Sequence, residues 1–103
     1  MTQSYVQAHL DLLLLAVIQR EPGDSEAVLD ELREQSDGRF VPSRQLVHAR
    51  LRYLERNHLI SRSYDRPPRY VLTDSGRRSL RGKQMEWNSF ARVVRALMER
   101  TSR

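Results

Sequence analysis

The feature that most constrains how this chain folds is the run from Leu12 to Ile18, seven residues without a polar side chain. Leu10, Leu13, Leu14, Val17 and Ile18 recur at the spacing of one helix face, and Leu12, Leu15 and Ala16 make the opposite side apolar too. The pattern predicts a helix from about His9 to Arg20, stopped by Glu21-Pro22-Gly23. A helix apolar nearly all round must be covered on two sides. A chain of 103 residues builds one modest core, so a second copy of the chain is the simplest source of the other cover. The run is far too short to span a bilayer, and no basic leader with a cleavage site precedes it. The expectation is a cytoplasmic protein with no membrane partner.

Three further helices and a hairpin follow. A second helix is expected from about Ser25 to Gln35, capped by Asp24 or Ser25, with Val28, Leu29 and Leu32 inward and an acidic outer face. Ser36-Asp37-Gly38 ends it. Ser43 caps a third helix running to about Asn57, with Val47, Leu51 and Leu54 inward and Arg44, Gln45, His48, Arg52 and Arg56 outward. Leu59–Tyr64 and Arg69–Thr73 alternate as two short strands, and Pro67-Pro68 excludes a two-residue primed turn between them. Thr73 or Asp74 caps a last helix reaching about Glu99, along which Leu80, Trp87, Phe90, Ala91, Val94, Leu97 and Met98 form a helix–helix seam.

The fold class is therefore mainly α with a small β-hairpin: a winged helix-turn-helix of three helices and a two-stranded wing, then a long C-terminal dimerisation helix. Residues 1–75 are expected to form the winged-helix DNA-binding domain and 76–103 the dimerisation helix, in one compact unit.

Charge says what such a fold would bind. Residues 39–82 carry 11 arginines against 3 acids, whereas residues 1–38 carry 2 arginines against 8 acids. Seventeen of the 18 basic residues are arginine, which composition bias explains; bias does not explain why the charge collects in the middle. A basic block of that density fits a phosphate backbone. In the winged-helix arrangement the third helix enters the major groove by its N-terminal end while the wing follows the backbone or minor groove. Arg44 and Gln45 then stand where base edges would be, His48, one turn on, is placed to reach a base or a phosphate, and the cap Ser43 joins them as a DNA-binding residue. Arg44 suits guanine and Gln45 adenine, and Arg52, Arg62, Arg66 and Arg69 suit phosphates. The expected partner is a palindromic double-stranded operator bound by a homodimer. An enzyme is not expected: His9, His48 and His58 are scattered, the acids do not cluster, no cysteine is present and no glycine-rich phosphate loop occurs. Neither a cofactor nor a metal is expected.

Three segments carry a resemblance. Leu10–Ile18 followed by Glu21-Pro22, Leu51–Ile60 at the end of the third helix, and Arg69–Arg77 from wing to last helix resemble, in order and over about residues 8–100, the PadR family of winged-helix transcriptional regulators. The chain departs from the family at its reading positions. Ser25-Glu26 stands for a Gly-Tyr pair, Gln45–Ala49 for a Gly-Thr-Leu-Tyr-Pro run, and Pro67-Pro68 for a glycine-rich wing tip, so His48 replaces the DNA-contacting tyrosine. The resemblance implies a dimer built by the first and last helices and an autoregulating repressor. In the small, drug-sensing branch it further implies that Trp87 stacks on planar aromatic effectors, with Leu12, Ala16, His9 and Tyr5 as the opposite wall. The alternative is a winged-helix protein–protein interaction module that has lost specific DNA binding, a reading that gains if Arg44, Gln45 and His48 pack inward or pair with the acidic second helix.

Overall fold

The computed structural model describes residues 2–101, with side chains from His9 onward. The chain runs α1 (Thr2–Arg20), α2 (Ser25–Gln35), α3 (Arg44–Arg56), β1 (Ile60–Arg62), β2 (Tyr70–Leu72) and α4 (Asp74–Thr101). α1 starts well before His9, because the residues ahead of the apolar run lack periodicity but contain no glycine or proline to stop a helix.

α1 lies at the centre, packed against α2, α3, α4 and β2. Leu10, Leu14, Leu15 and Ile18 are fully buried, with Val17 nearly so. Two positions differ from the sequence expectation: Leu15 belongs to the core, and Leu13 is exposed at the side of α1. An all-round apolar helix gives no phase to its own rotation, and the crossing of α4 sets it instead. The rest of the core is Val28, Leu29 and Leu32 of α2, Val47, Leu51 and Leu54 of α3, Ile60 and Leu72 of the hairpin, and Leu80 of α4.

Local chemistry fixes each boundary. Asp24 caps α2, its carboxylate accepting from the Ala27 amide at 2.9 Å. Asp37 and Gly38, both at positive φ, return amides to the Glu34 and Arg33 carbonyls and end α2. Ser43 caps α3 through the Leu46 amide. His58, at φ +60°, lets the Leu59 amide reach the Leu54 carbonyl at 2.9 Å, so a histidine holds the left-handed position usually given to glycine.

β1 and β2 pair antiparallel, Ile60 opposite Leu72, Ser61 opposite Val71 and Arg62 opposite Tyr70. Both strands are shorter than their alternation suggests, because each end has other bonds. At the tip, the Ser63 amide donates to the Arg69 carbonyl at 2.8 Å and the Arg69 amide to Ser63 Oγ at 3.0 Å. At the root, Thr73 donates its amide to the Leu59 carbonyl and its hydroxyl to the His58 carbonyl. The Tyr70 amide donates to the Gly23 carbonyl at 2.8 Å, pinning the wing to the α1–α2 turn.

Thr73, not Asp74, caps α4, accepting from the Gly76 amide at 3.0 Å. The first turn of α4 lies directly on the wing root: a Cβ on Gly76 would stand 2.0 Å from the Leu59 carbonyl oxygen. Leu80 is buried in the protomer's own core and is therefore not part of the seam. Its heptad spacing suits either role, and the proximity of α1 and the hairpin decides between them. Past Lys83 the helix projects outward, giving the molecule a long axis of 56 Å against 28 and 27 Å.

The two glycines of α4 give opposite expectations. Gly76→Ala drives a methyl into backbone and lowers stability by about 2–3 kcal/mol. Gly82, with nothing within 4 Å of its would-be Cβ, gains about 0.5–1 kcal/mol as alanine in an exposed helix. Thermal unfolding followed by circular dichroism should move the two midpoints in opposite directions.

Candidate nucleic-acid interface and apolar groove

α3 stands on its aliphatic face, Val47, Leu51 and Leu54, all buried. The adjoining side of the helix carries Arg44, Gln45, His48 and Arg52 at helical spacing. Gln45 and Arg52 are exposed, and Arg52 makes no ion pair among the described residues. Arg44 lies 3.2 Å from Glu26 of α2, with both side chains half or more exposed. His48 is half-buried, and its Nε2 is buried without a hydrogen-bond partner. Ser43 is engaged as the cap of the helix. A pair as wet as Arg44–Glu26 is worth about 0–1 kcal/mol, too little to withhold Arg44 from a competing anion.

The wing holds its arginines unequally. Arg62 is paired with Glu55 of α3 at 3.2 Å, with its guanidinium 5.9 Å from the centre of the Tyr70 ring. The hydrogen bond to Glu55 raises the Arg62 pKa further above its ordinary value. Arg69 is paired with Asp65 at 2.9 Å, and the bond from Arg69 holds that carboxyl below the usual carboxylate range. Arg66 is exposed at the tip and unpaired among the described residues.

One arrangement joins residues far apart in the chain and stands outside the expected site. Arg50 of α3 forks onto Asp11 of α1, Nε to Oδ1 at 2.9 Å and Nη2 to Oδ2 at 2.7 Å. The side chains are 15% and 7% exposed, and Asp11 is the one buried polar residue among those described. The Arg50 guanidinium also lies 4.1 Å from the centre of the Tyr53 ring. The bond to Asp11, outweighing desolvation, raises the Arg50 pKa and keeps the group charged.

On the far side of α1, His9, Leu12, Leu13 and Ala16 face Gln84, Trp87 and Asn88 of α4 across an open groove of about 440 Å³. Trp87 is 45% exposed, edge-on to the His9 ring at 5.5 Å and tilted against Phe90 at 6.1 Å. The groove thus brings together Trp87, Leu12, Ala16 and His9; the side chain of Tyr5 lies outside the described residues. Further along α4, Phe90, Val93, Val94, Leu97 and Met98 are exposed, with Ala91 half-buried beside them. No group of three His, Asp or Glu side chains suited to a metal occurs among the described residues, and none of their helices is long and apolar enough to cross a membrane.

Solved structures share this architecture. A transcriptional regulator from Clostridium thermocellum superposes with a TM-score of 0.80 at 18% identity, covering 93% of this chain and 96% of that one. A PadR-like transcription factor from Bacteroides fragilis gives 0.76 at 20% identity, covering 93% and 96%. A PadR family transcriptional regulator from Eggerthella lenta gives 0.70 at 24% identity, covering 95% and 90%. No protein-family model and no curated protein matches the chain. The chain therefore has the winged-helix fold of PadR-type regulators.

Two of the ion pairs of α3 separate by burial. Arg50→Ala strands the Asp11 carboxylate in the interior and is expected to cost about 3 kcal/mol. Arg44→Ala removes only a wet pair and should change stability by less than about 0.5 kcal/mol. Urea denaturation of both variants checks the difference.

Proposed function

We propose that the chain is a PadR-like, sequence-specific DNA-binding regulator acting as a homodimeric repressor on a palindromic operator, its own upstream region included. The observation that carries this reading is the exposed set Arg44, Gln45 and Arg52, with His48 half-buried beside them, on a helix anchored by Val47, Leu51 and Leu54, and with Arg66 at the tip of the neighbouring wing. Arginine and glutamine at the N-terminal end of such a helix match guanine and adenine edges, and the basic block of residues 39–82 supplies the phosphate attraction.

Residues 76–103 serve the dimer. Phe90, Val94, Leu97 and Met98 stand exposed along one helix, and a row of large apolar side chains of that kind is covered by a partner surface. The groove beside Trp87 has the volume of a small-molecule site, and its aromatic wall favours flat aromatic effectors that release the operator. The reaction is binding alone, in the cytoplasm, without cofactor. The Arg44–Glu26 pair and the partly inward His48 favour the second reading, an interaction module whose basic face meets an acidic protein partner.

A mobility-shift titration on the upstream region, with competitor DNA and a salt series, decides between them. A discrete shift at nanomolar protein that survives competitor supports the repressor, whereas weak binding lost steeply with salt leaves only the phosphate attraction and moves the interaction module ahead. Replacing both Arg44 and Gln45 by alanine should lower operator affinity by about 2–5 kcal/mol while leaving the dimer intact; an unchanged footprint refutes the base-reading assignment. Planar aromatic compounds should quench Trp87 emission saturably, and a flat titration across a dye panel would mean that Trp87 only packs.

A further inference from the structure

α1 has two unlike sides. His9, Leu12, Leu13 and Ala16 wall the groove opposite Trp87, while Asp11, set between them in sequence, reaches Arg50 on α3. Arg50 in turn lies in sequence between His48 and Arg52, two of the candidate DNA-contacting residues. The buried cluster to which α1 and α3 both contribute is aliphatic, and aliphatic surfaces tolerate small slides. A bidentate fork does not, because it fixes both the distance and the rotation of its two partners. A displacement of about 1 Å along the fork takes both bonds beyond hydrogen-bond distance. Aliphatic packing alone would hold the helices together at this point; the charged fork adds a defined register, which is the use of buried pairs best attested in general.

We propose that Asp11–Arg50 is the positioning contact through which the groove and the reading end of α3 act on one another. The inference rests on the DNA-binding reading above. Any occupant that moves the α1 wall of the groove shifts the carboxylate to which Arg50, and with it α3, is registered. Coupling between two binding sites is reciprocal, so DNA held by α3 must be felt at the groove. The chain carries its own reporter there: Trp87 is the only tryptophan and rests edge-on against His9, two residues from Asp11.

The test is a titration of the purified full chain with the upstream duplex, reading Trp87 emission and electrophoretic mobility on the same samples. For the wild type we expect a saturable emission change whose midpoint coincides with the mobility shift. The double variant Asp11→Leu with Arg50→Met replaces the fork by apolar groups of similar volume, a change that buried pairs commonly tolerate. It should still shift the duplex, about tenfold more weakly, with its Trp87 change reduced to less than about a fifth. Thermal unfolding within a few degrees of wild type separates this from simple destabilisation. If the double variant does not fold, Arg50→Lys, which keeps the charge and loses the fork, should at least halve the emission change. A variant that binds DNA with the full wild-type response overturns the proposal, as does a wild type that binds with Trp87 silent. A wild type giving no discrete shift refutes the DNA-binding reading itself, and the coupling falls with it.

Discussion

The burial of α1 is the constraint on which the rest of the molecule depends. Leu10, Leu14, Leu15 and Ile18 lose all contact with solvent, and they do so against four different elements. Each of those elements is short or only half apolar, and none presents enough surface to form a core with its chain neighbour alone. α2 and α3 therefore take their mutual orientation from a helix that precedes both. The hairpin of two three-residue strands stands only because it is tied to the α1–α2 turn through Gly23 and Tyr70 and to the start of α4 through Thr73.

From that frame follows a division of labour between inner and outer chemistry. Apolar contacts set how closely the helices pack, and polar bonds set where each one starts, stops and points. Gly76 gives the sharpest case: α4 begins where it does because its first turn rests against the Leu59 carbonyl, a closeness no other residue type permits. The same contact aligns the outward half of α4, so the apolar row presented beyond Lys83 is aimed by a glycine at the other end of the helix.

Much of this was legible in the sequence, and the exceptions share a cause. α2 and α3 are legible nearly to their ends because their caps, Asp24 and Ser43, and their inward triplets are local signals. The rotation of α1 was not legible, since a helix with leucines all round has no phase until something crosses it; hence the exchange of Leu13 and Leu15. The place of Leu80 is not legible either, because a heptad spacing reads the same in a core and in a seam. The Asp11–Arg50 fork joins residues 39 positions apart, yet it left a trace. Arg50 falls with Val47, Leu51 and Leu54 at the spacing of the inner face, and an arginine there needs a buried anion, for which the lone carboxylate beside the leucine run is the natural candidate. His58 in a left-handed position, by contrast, has no signal of its own.

The paired arginines of the wing alter how the whole molecule meets a polyanion. Arg62 and Arg69 arrive with Glu55 and Asp65 already beside them. A cation that carries its own counter-charge releases fewer condensed ions when it nears a phosphate. On the proposed DNA-binding reading, the grip on arbitrary duplex is then slightly weaker than the number of arginines suggests, since pairs this wet are worth about 0–1 kcal/mol each. On that reading, Glu55 and Asp65 compete only weakly with the phosphates their neighbours would bind and withhold neither arginine from them.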